Sequence, residues 1–176
     1  MRMLMETLCQ SSSLILLCLH ECLTLQTERR AYATVAVGHT PAQSKPYTTG
    51  AIVLGRSLLE QGSPYPLVVL ILTGDVEAQE KLDERCPNCI PVEVDPIYKE
   101  VPGAPPGWSL CWTKFRLWEL DYDKIVFMDS DVLLMKPVDD LFDLPVLSAS
   151  RNRCGMCCSH GHGDEYYSMG IIVLKP

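Results

Sequence analysis

Two aspartates separated by one residue follow a short apolar run, and their type and spacing are those of a metal-ligand pair. Ile125 to Met128 is β-branched and aromatic, which predicts a strand buried on both faces. Asp129 and Asp131 follow it at its carboxyl end, where open α/β sheets place their ligand crevice. Two neighbouring carboxylates repel each other and lose solvation, which a divalent cation relieves. Hard oxygen ligands suit Mg²⁺ or Mn²⁺, which leave positions open for substrate phosphates.

The Asp-x-Asp motif also has a structural alternative, in which both acids are solvated and Asp131 caps a turn. The sequence after it favours the metal site, because an apolar run (Val132 to Met135) leads to a Lys136-Pro137 turn and then to Asp139-Asp140-Leu141-Phe142. The whole segment resembles the donor-site segment of the family 8 glycosyltransferases, the group of glycogenin and galactinol synthase. In that family a strand, a D-x-D motif, an apolar stretch and a closing DDLF follow one another.

Strand and helix patterns alternate in the chain that precedes these acids. Apolar runs predict strands at Ala31–Val37, Leu67–Leu72 and Ile90–Val94, and helices at Tyr47–Leu59 and Val76–Arg85. We expect Asp75 to cap the second helix, and Gly38 to Pro46 to form a polar loop. This alternation indicates a parallel sheet with helices on its faces.

Further elements surround the two acids. Ala51, Leu54, Gly55 and Leu58 share one face of the first helix, and its small residues would let it lie close to the sheet. A third helix is predicted at Leu110–Leu120, with its core face formed by Cys111, Phe115 and Trp118. The remaining expected elements are strands at Val146–Ser150 and Met169–Leu174, with a loop rich in Cys, His and Gly from Arg151 to Glu165.

Length and charge limit the functions open to the chain. At 176 residues it is long enough for one domain with a real core. Lys and Arg number 15 against 22 Asp and Glu, a net charge of −7, which argues against binding a nucleic-acid backbone. A nucleotide sugar remains a suitable ligand, because a metal ion can neutralise its diphosphate.

The first 30 residues differ in character from the rest. Their apolar run, Leu14 to Leu19, is too short to span a bilayer. We interpret residues 1–30 as a leader, either disordered or a weak signal-like segment, and residues 31–176 as the single domain. The compartment stays open, with the cytoplasm favoured over the secretory pathway.

The resemblance implies a GT-A nucleotide-diphospho-sugar transferase fold, a Rossmann-like mixed sheet, over residues 31–176. It places Thr34 and Tyr47 in the uridine pocket, since A-Y-A-T-V-A-V and Y-T-T-G-A-I-V-L-G-R-S-L are similar to the family's uridine-binding segment. In W-T-K-F-R-L-W-E-L it makes Lys114 the lysine that approaches the donor. It makes Asp129 and Asp131 the metal ligands, and Ser130 a backbone contact of the ribose.

The last strand is similar to a family segment of the form FN-(S/A)-G-(V/M)-x-V-x-x-P, in which the asparagine binds the sugar. This puts Ser168 and Gly170 at the sugar site, with Ser168 in place of the asparagine. A serine cannot reproduce the donor and acceptor pair of an amide. We therefore expect a sugar specificity that differs from the glycogenin type.

The nine cysteines suggest a rival interpretation. We interpret most of them as reduced thiols, because the composition is that of a cored globular protein. A zinc site is the alternative, built either on Cys86 and Cys89 together with loop residues or on the loop residues alone, which are Cys154, Cys157, Cys158, His160 and His162. Strand order places Cys86 and Cys89 at the amino edge of the sheet, away from the acids. The matching second hypothesis for the protein is a zinc-stabilised binding or scaffold module without catalytic activity.

The sequence favours an enzyme over that module. The resemblance implies a metal-dependent retaining glycosyltransferase that uses Mn²⁺ or Mg²⁺ and takes a sugar from a UDP-sugar to an unidentified acceptor. No residue can be assigned as the catalytic nucleophile from the sequence. In the family, further sequence after the last strand supplies a metal-binding histidine and the acceptor site. We therefore expect the given chain to be a C-terminally truncated domain that transfers sugar poorly or not at all.

Overall fold

The computed structural model describes residues 28–100, 102, 108–151 and 167–176. Six strands, two α-helices and two 3₁₀ helices follow one another in the order β1 (Arg30–Ala36), α1 (Pro41–Glu60), β2 (Leu67–Leu72), α2 (Val76–Arg85), β3 (Cys89–Val94), η1 (Trp108–Glu119), β4 (Lys124–Met128), η2 (Asp139–Asp143), β5 (Ser148–Arg151) and β6 (Tyr167–Leu174). Within these residues no helix combines the length and apolar character needed to cross a membrane. The expected leader and the Cys-rich loop lie almost wholly outside the described residues.

The strands form one mixed sheet in the order β3-β2-β1-β4-β6-β5. The first four strands in this order are parallel, β6 runs antiparallel to β4, and β5 runs antiparallel to β6. Strand β1 is central, pairing Tyr32 with Leu67 on one side and Ala31 with Ile125 on the other. The predicted parallel sheet with helices on its faces is confirmed, and so is its mixed character.

Side chains that alternate along β1 enter two separate cores. Tyr32 and Ala36 pack with Leu54 and Leu58 of α1 on one face of the sheet. Ala31 and Ala33 pack with Leu117 of η1 on the other face. The two-residue period of a strand explains this division. Both faces of the central strands are thus covered, which is why these strands are continuous apolar runs.

The first helix begins six residues earlier than the sequence analysis predicts, and the expected loop from Gly38 to Pro46 is wrong. Thr40 is the N-cap, and its hydroxyl accepts a hydrogen bond from the Gln43 amide at 3.4 Å. Pro41 occupies the first helical position, where an amide N–H has no partner within the helix, so the proline costs no hydrogen bond. Pro46 lies in the second turn and forfeits one helical hydrogen bond. The prolines that suggest a loop are therefore compatible with a capped helix.

The 3₁₀ geometry of η1 changes which of its residues are buried. The expected core face of Cys111, Phe115 and Trp118 is wrong, because Phe115 is 51% exposed, Trp118 is 37% exposed and Cys111 is exposed as well. Thr113 and Leu117 are the buried residues. Three residues per turn align positions three apart, so Phe115 and Trp118 form one outward row with ring centroids 5.9 Å apart.

A disulfide joins Cys86 to Cys89, so these two cysteines are exceptions to the expectation that most of the nine are reduced thiols. The end of α2 turns directly into β3, so the two Cα atoms lie 5.2 Å apart, within the usual range for a disulfide. A Cβ at Gly55 would come within 2.7 Å of the Cys89 sulfur, so this glycine lets α1 pass over the bond. The small residues of α1 thus serve the disulfide as well as the sheet.

The DDLF segment is anchored to the middle of the domain by its first aspartate. The Tyr32 hydroxyl donates a hydrogen bond to Asp139 Oδ1 at 2.6 Å, and the Ser63 hydroxyl donates to the same oxygen at 2.7 Å. Tyr32 is fully buried, and its ring meets that of Phe142 edge to face at 4.9 Å. Burial, reinforced by the neighbouring Asp139 carboxylate, raises the pKa of the Tyr32 hydroxyl. Tyr32 is therefore a neutral donor at physiological pH.

We expect Tyr32→Phe to lower the free energy of unfolding by about 2 kcal/mol, because it removes a hydrogen bond from a buried phenol to a carboxylate. Tyr98→Phe is the matched control, since the Tyr98 hydroxyl also contacts a carboxylate, that of Glu100, but is exposed. The control should change stability by less than about 0.5 kcal/mol. Urea unfolding measures both, and equal losses in the two variants would refute the anchoring role of Tyr32.

Candidate functional site

A cleft of about 600 Å³ opens at the carboxyl ends of β1 and β4. Strand order reverses between these two strands, since β2 and β3 lie beyond β1 while β6 lies beyond β4. Open α/β sheets bind ligands at such a switch point, and the volume is that of a small-molecule site. The lining residues are Val35, Val37, Pro46, Tyr47, Gly50, Leu110, Cys111, Lys114, Asp129, Ser130 and Asp131.

The two predicted metal ligands lie on the wall formed by the turn after β4. The Asp129 amide donates to the Gly170 carbonyl at 2.9 Å, which continues the pairing of β4 with β6. The Val132 amide donates to the Asp129 carbonyl at 3.1 Å and closes a turn through Ser130 and Asp131. The backbone of β6 therefore fixes Asp129, while Asp131 lies exposed at the mouth of the cleft.

Lys114 reaches the same wall from η1. Its Nζ donates to Asp129 Oδ1 at 2.7 Å and to the Met169 carbonyl at 3.4 Å. The ammonium also lies 4.8 Å from the centroid of the Phe127 ring. The Lys114 side chain is 20% exposed and that of Asp129 39%, so this ion pair is better shielded from water than a surface pair.

The second and third turns of α1 form the opposite wall of the cleft. Tyr47 lines it and is 48% exposed, which leaves much of its ring accessible to a ligand. One turn further on, Gly50 packs against the Ser130 carbonyl so closely that a Cβ at position 50 would overlap this oxygen. At Gly50 and Ser130, α1 therefore lies directly against the turn of the two acids.

Two further predicted residues lie behind the acids, on β6. A Cβ at Gly170 would lie 3.2 Å from Asp129 Oδ2, so this glycine makes room for the carboxylate. The Gly170 amide donates to the Ser168 hydroxyl at 3.1 Å. Neither residue is among those that line the cleft, although Gly170 contacts a residue that does.

The structure does not bring Thr34 to the cleft with the other predicted residues. Its side chain is fully buried on the face of the sheet that α1 covers. Within the described part of the chain, its hydroxyl has no hydrogen-bond partner. The residues of this segment that line the cleft are Val35 and Val37, and Val35 faces the opposite side of the sheet. Neighbouring residues of a strand point to opposite faces of the sheet, so the side chains of Thr34 and Val35 cannot both face the cleft.

Several lining residues were not predicted as site residues. Leu110 and Cys111 belong to η1, and Pro46 and Gly50 to α1. The cap signal at Thr40 and Pro41 would have extended α1 far enough to place Pro46 on the wall. The contact of Gly50 with Ser130 has no local signal in the sequence, because it joins residues that are distant along the chain.

The donor atoms of the cleft suit a hard divalent cation. Asp129 and Asp131 supply two carboxylates at one open edge, and such ions keep further positions for water and phosphate oxygens. Among the described residues, no group of three or more His, Cys, Asp or Glu could hold a metal. The disulfide removes Cys86 and Cys89 as zinc ligands, and the other cysteines and histidines of the zinc alternative lie outside the described residues.

Comparison with known sequences gives one family match and several relatives. The family model for glycosyl transferase family 8 matches residues 41–151. Galactinol synthase 6 of Arabidopsis thaliana is 33% identical over 123 residues, which is 66% of this chain and 34% of that protein. UDP-glucuronate:xylan alpha-glucuronosyltransferase 1 of the same plant is 32% identical over 160 residues, 85% of this chain and 20% of that protein. The chain thus spans about a third or less of the length of these relatives.

Solved structures share the fold at low sequence identity. The galactosyltransferase LgtC, in complex with donor and acceptor sugar analogs, has a TM-score of 0.54 at 16% identity, covering 82% of this chain and 57% of that one. Mouse xyloside xylosyltransferase 1 has a TM-score of 0.53 at 14% identity, covering 83% and 66%. These structures confirm the predicted GT-A fold.

We expect Gly50→Ala to destabilise the domain by about 1 kcal/mol. Overpacking against a backbone carbonyl costs about 1–3 kcal/mol, whereas the gain in helix propensity is only about 1 kcal/mol. Thr49→Ala, an exposed change on the same helical turn, should be neutral or slightly stabilising. Urea unfolding compares the two variants. A Gly50→Ala protein as stable as the unchanged chain would show that α1 does not rest on the turn of the two acids.

Proposed function

The chain belongs to glycosyl transferase family 8, and from this membership we propose that it acts in transfer of a sugar from a nucleotide sugar to an acceptor. The observation that supports the proposal most is the composition of the switch-point cleft. Tyr47, Lys114, Asp129 and Asp131 come from three different elements and line the same cleft. An aromatic ring, an ammonium and two carboxylates are together suited to a nucleotide diphosphate.

The donor that we propose is a UDP-sugar. One relative, the xylan glucuronosyltransferase, carries UDP-glucuronate in its name. In this chain the exposed ring of Tyr47 would stack on the base, and the backbone of Ser130 would meet the ribose between the two acids. Val35 and Val37 would supply an apolar floor beneath the base, a role that the buried Thr34 cannot fill with its side chain.

The cation that we propose is Mn²⁺ or Mg²⁺, held by Asp129 and Asp131. When bound, such an ion neutralises the diphosphate and stabilises it as a leaving group. The turn closed by the Val132 amide holds the backbone of the two aspartates on one wall of the cleft. Gly170 keeps space beside Asp129, and any larger residue there would press on its carboxylate.

The remaining roles in the reaction follow from charge and position. Lys114 would bind a phosphate oxygen and so favour departure of the diphosphate from the anomeric carbon. The acceptor oxygen would attack that carbon from the side that the diphosphate leaves, with retention of configuration. We assign no described residue as a nucleophile. Ser168, beside the acids on β6, would contact the transferred sugar through a single hydroxyl.

We expect Asp131→Asn to lower Mn²⁺-dependent UDP affinity by more than about tenfold, a change of about 1.4 kcal/mol. The amide keeps the shape of the carboxylate and removes its charge, and Asp131 is exposed, so the fold should be unaffected. Asp83→Asn, at an exposed position on α2, is the charge-matched control. Calorimetric titration with UDP in the presence of Mn²⁺ is the measurement.

Undiminished affinity in Asp131→Asn would refute the metal assignment, whereas a loss shared by Asp83→Asn would point to a general effect of charge. Transfer itself is tested by incubating the protein with radiolabelled UDP-glucose, UDP-galactose and UDP-glucuronate, Mn²⁺ and a panel of sugar acceptors. Radiolabel appearing in an acceptor supports the proposed reaction. Binding of ADP and UDP with equal affinity would contradict the choice of a uridine nucleotide.

A further inference from the structure

The cation position beside Asp129 is filled by the chain's own ammonium group. Lys114 Nζ has a carboxylate oxygen at 2.7 Å, a backbone carbonyl at 3.4 Å and an aromatic face at 4.8 Å. All three partners present negative charge or partial negative charge, as the surroundings of a bound cation do. In the free protein, the Lys114 ammonium therefore neutralises the charge of the Asp129 carboxylate.

This contact opposes binding of a metal ion on its own. A divalent cation at Asp129 and Asp131 would lie within a few ångströms of Nζ, where like charges repel strongly. While the Lys114 ammonium holds Oδ1 of Asp129 at 2.7 Å, that oxygen is not free to bind a metal ion. Metal without nucleotide is thus left mainly with the exposed Asp131.

A diphosphate in the cleft changes this balance. Lys114 lines the cleft, and its four-carbon side chain is flexible, so its ammonium can move from Asp129 to a phosphate oxygen. The move keeps a negative partner for the ammonium, which is costly to leave unpaired in a shielded place. It also frees the Asp129 carboxylate for the cation.

We propose that Lys114 is a charge-exchange switch, bound to Asp129 in the free protein and transferred to the diphosphate when metal and nucleotide bind together. The inference rests on the proposed function and adds a coupling between its two ligands. The metal ion and the nucleotide both favour the move of Lys114 from Asp129 to the diphosphate. Each ligand must therefore raise the protein's affinity for the other by the same factor. The site then selects a metal-nucleotide complex over either component alone.

The test is a titration of three proteins with Mn²⁺ alone, UDP alone and UDP in the presence of Mn²⁺. They are the unchanged chain, Lys114→Met and the control Lys81→Met, which breaks an ion pair of similar length, 2.9 Å, on the surface of α2. Lys114→Met should bind Mn²⁺ alone about fivefold to tenfold more tightly and Mn²⁺-UDP about tenfold more weakly. Opposite signs for the two ligands are the signature of the switch.

Lys114→Arg keeps the positive charge, so its affinity for Mn²⁺ alone should stay low. This variant distinguishes an effect of the lost charge from an effect of the substitution on folding. Unchanged or weaker binding of Mn²⁺ alone by Lys114→Met, with Mn²⁺-UDP binding intact in the unchanged chain, would overturn the switch and leave the proposed function standing. Absence of Mn²⁺-dependent UDP binding in the unchanged chain would overturn both. The control Lys81→Met should behave as the unchanged chain does, and a shift like that of Lys114→Met would overturn the switch.

Discussion

The cleft depends on the way in which β4 pairs differently on its two sides. It lies parallel to β1 and antiparallel to β6, and the strand order reverses between β1 and β4. The antiparallel neighbour continues past the end of β4 and holds the Asp129 amide through the Gly170 carbonyl. The pairing with the parallel neighbour, β1, ends at Ala33 and Phe127, and the crevice opens beyond it. Strand β4 thus has β6 as a backbone support on one side and the open cleft on the other. The two acids lie at its carboxyl end, between β6 and the cleft.

Elements with a strong local signal could be predicted from the sequence with their bounds. Strand β2 and helix α2 match their predicted ranges, because six consecutive apolar residues and an Asp75 cap leave no competing assignment. The Asp75 carboxylate accepts from the Ala78 amide at 3.1 Å, as the capping argument requires. The position of the acids in the cleft also followed from the sequence, since the end of a buried strand determines the edge at which a ligand site forms.

The features that were predicted wrongly have two causes. Some depend on competition between local signals, and others depend on contacts between residues distant in sequence. Prolines at 41 and 46 suggested a loop, but the Thr40 cap outweighed them. Helical spacing assumed 3.6 residues per turn for η1, whereas its 3₁₀ geometry turns Phe115 and Trp118 outward. The Cys86–Cys89 bond depends on how sharply the chain turns between α2 and β3, which cysteine counts do not reveal. Side-chain orientation and pairing thus needed the structure.

The charges of the cleft support the proposed role of a cation. Of the described residues that line it, Lys114 alone is positively charged, and it is already neutralised by Asp129, while Asp131 adds a further negative charge. The chain as a whole has a net charge of −7, so its long-range field does not attract a diphosphate either. A diphosphate entering this cleft alone would meet net repulsion. A divalent cation reverses the sign of the site, because two positive charges outweigh the excess of one carboxylate. Under the proposed function, the two acids that would otherwise repel an anionic ligand would bind it through the metal.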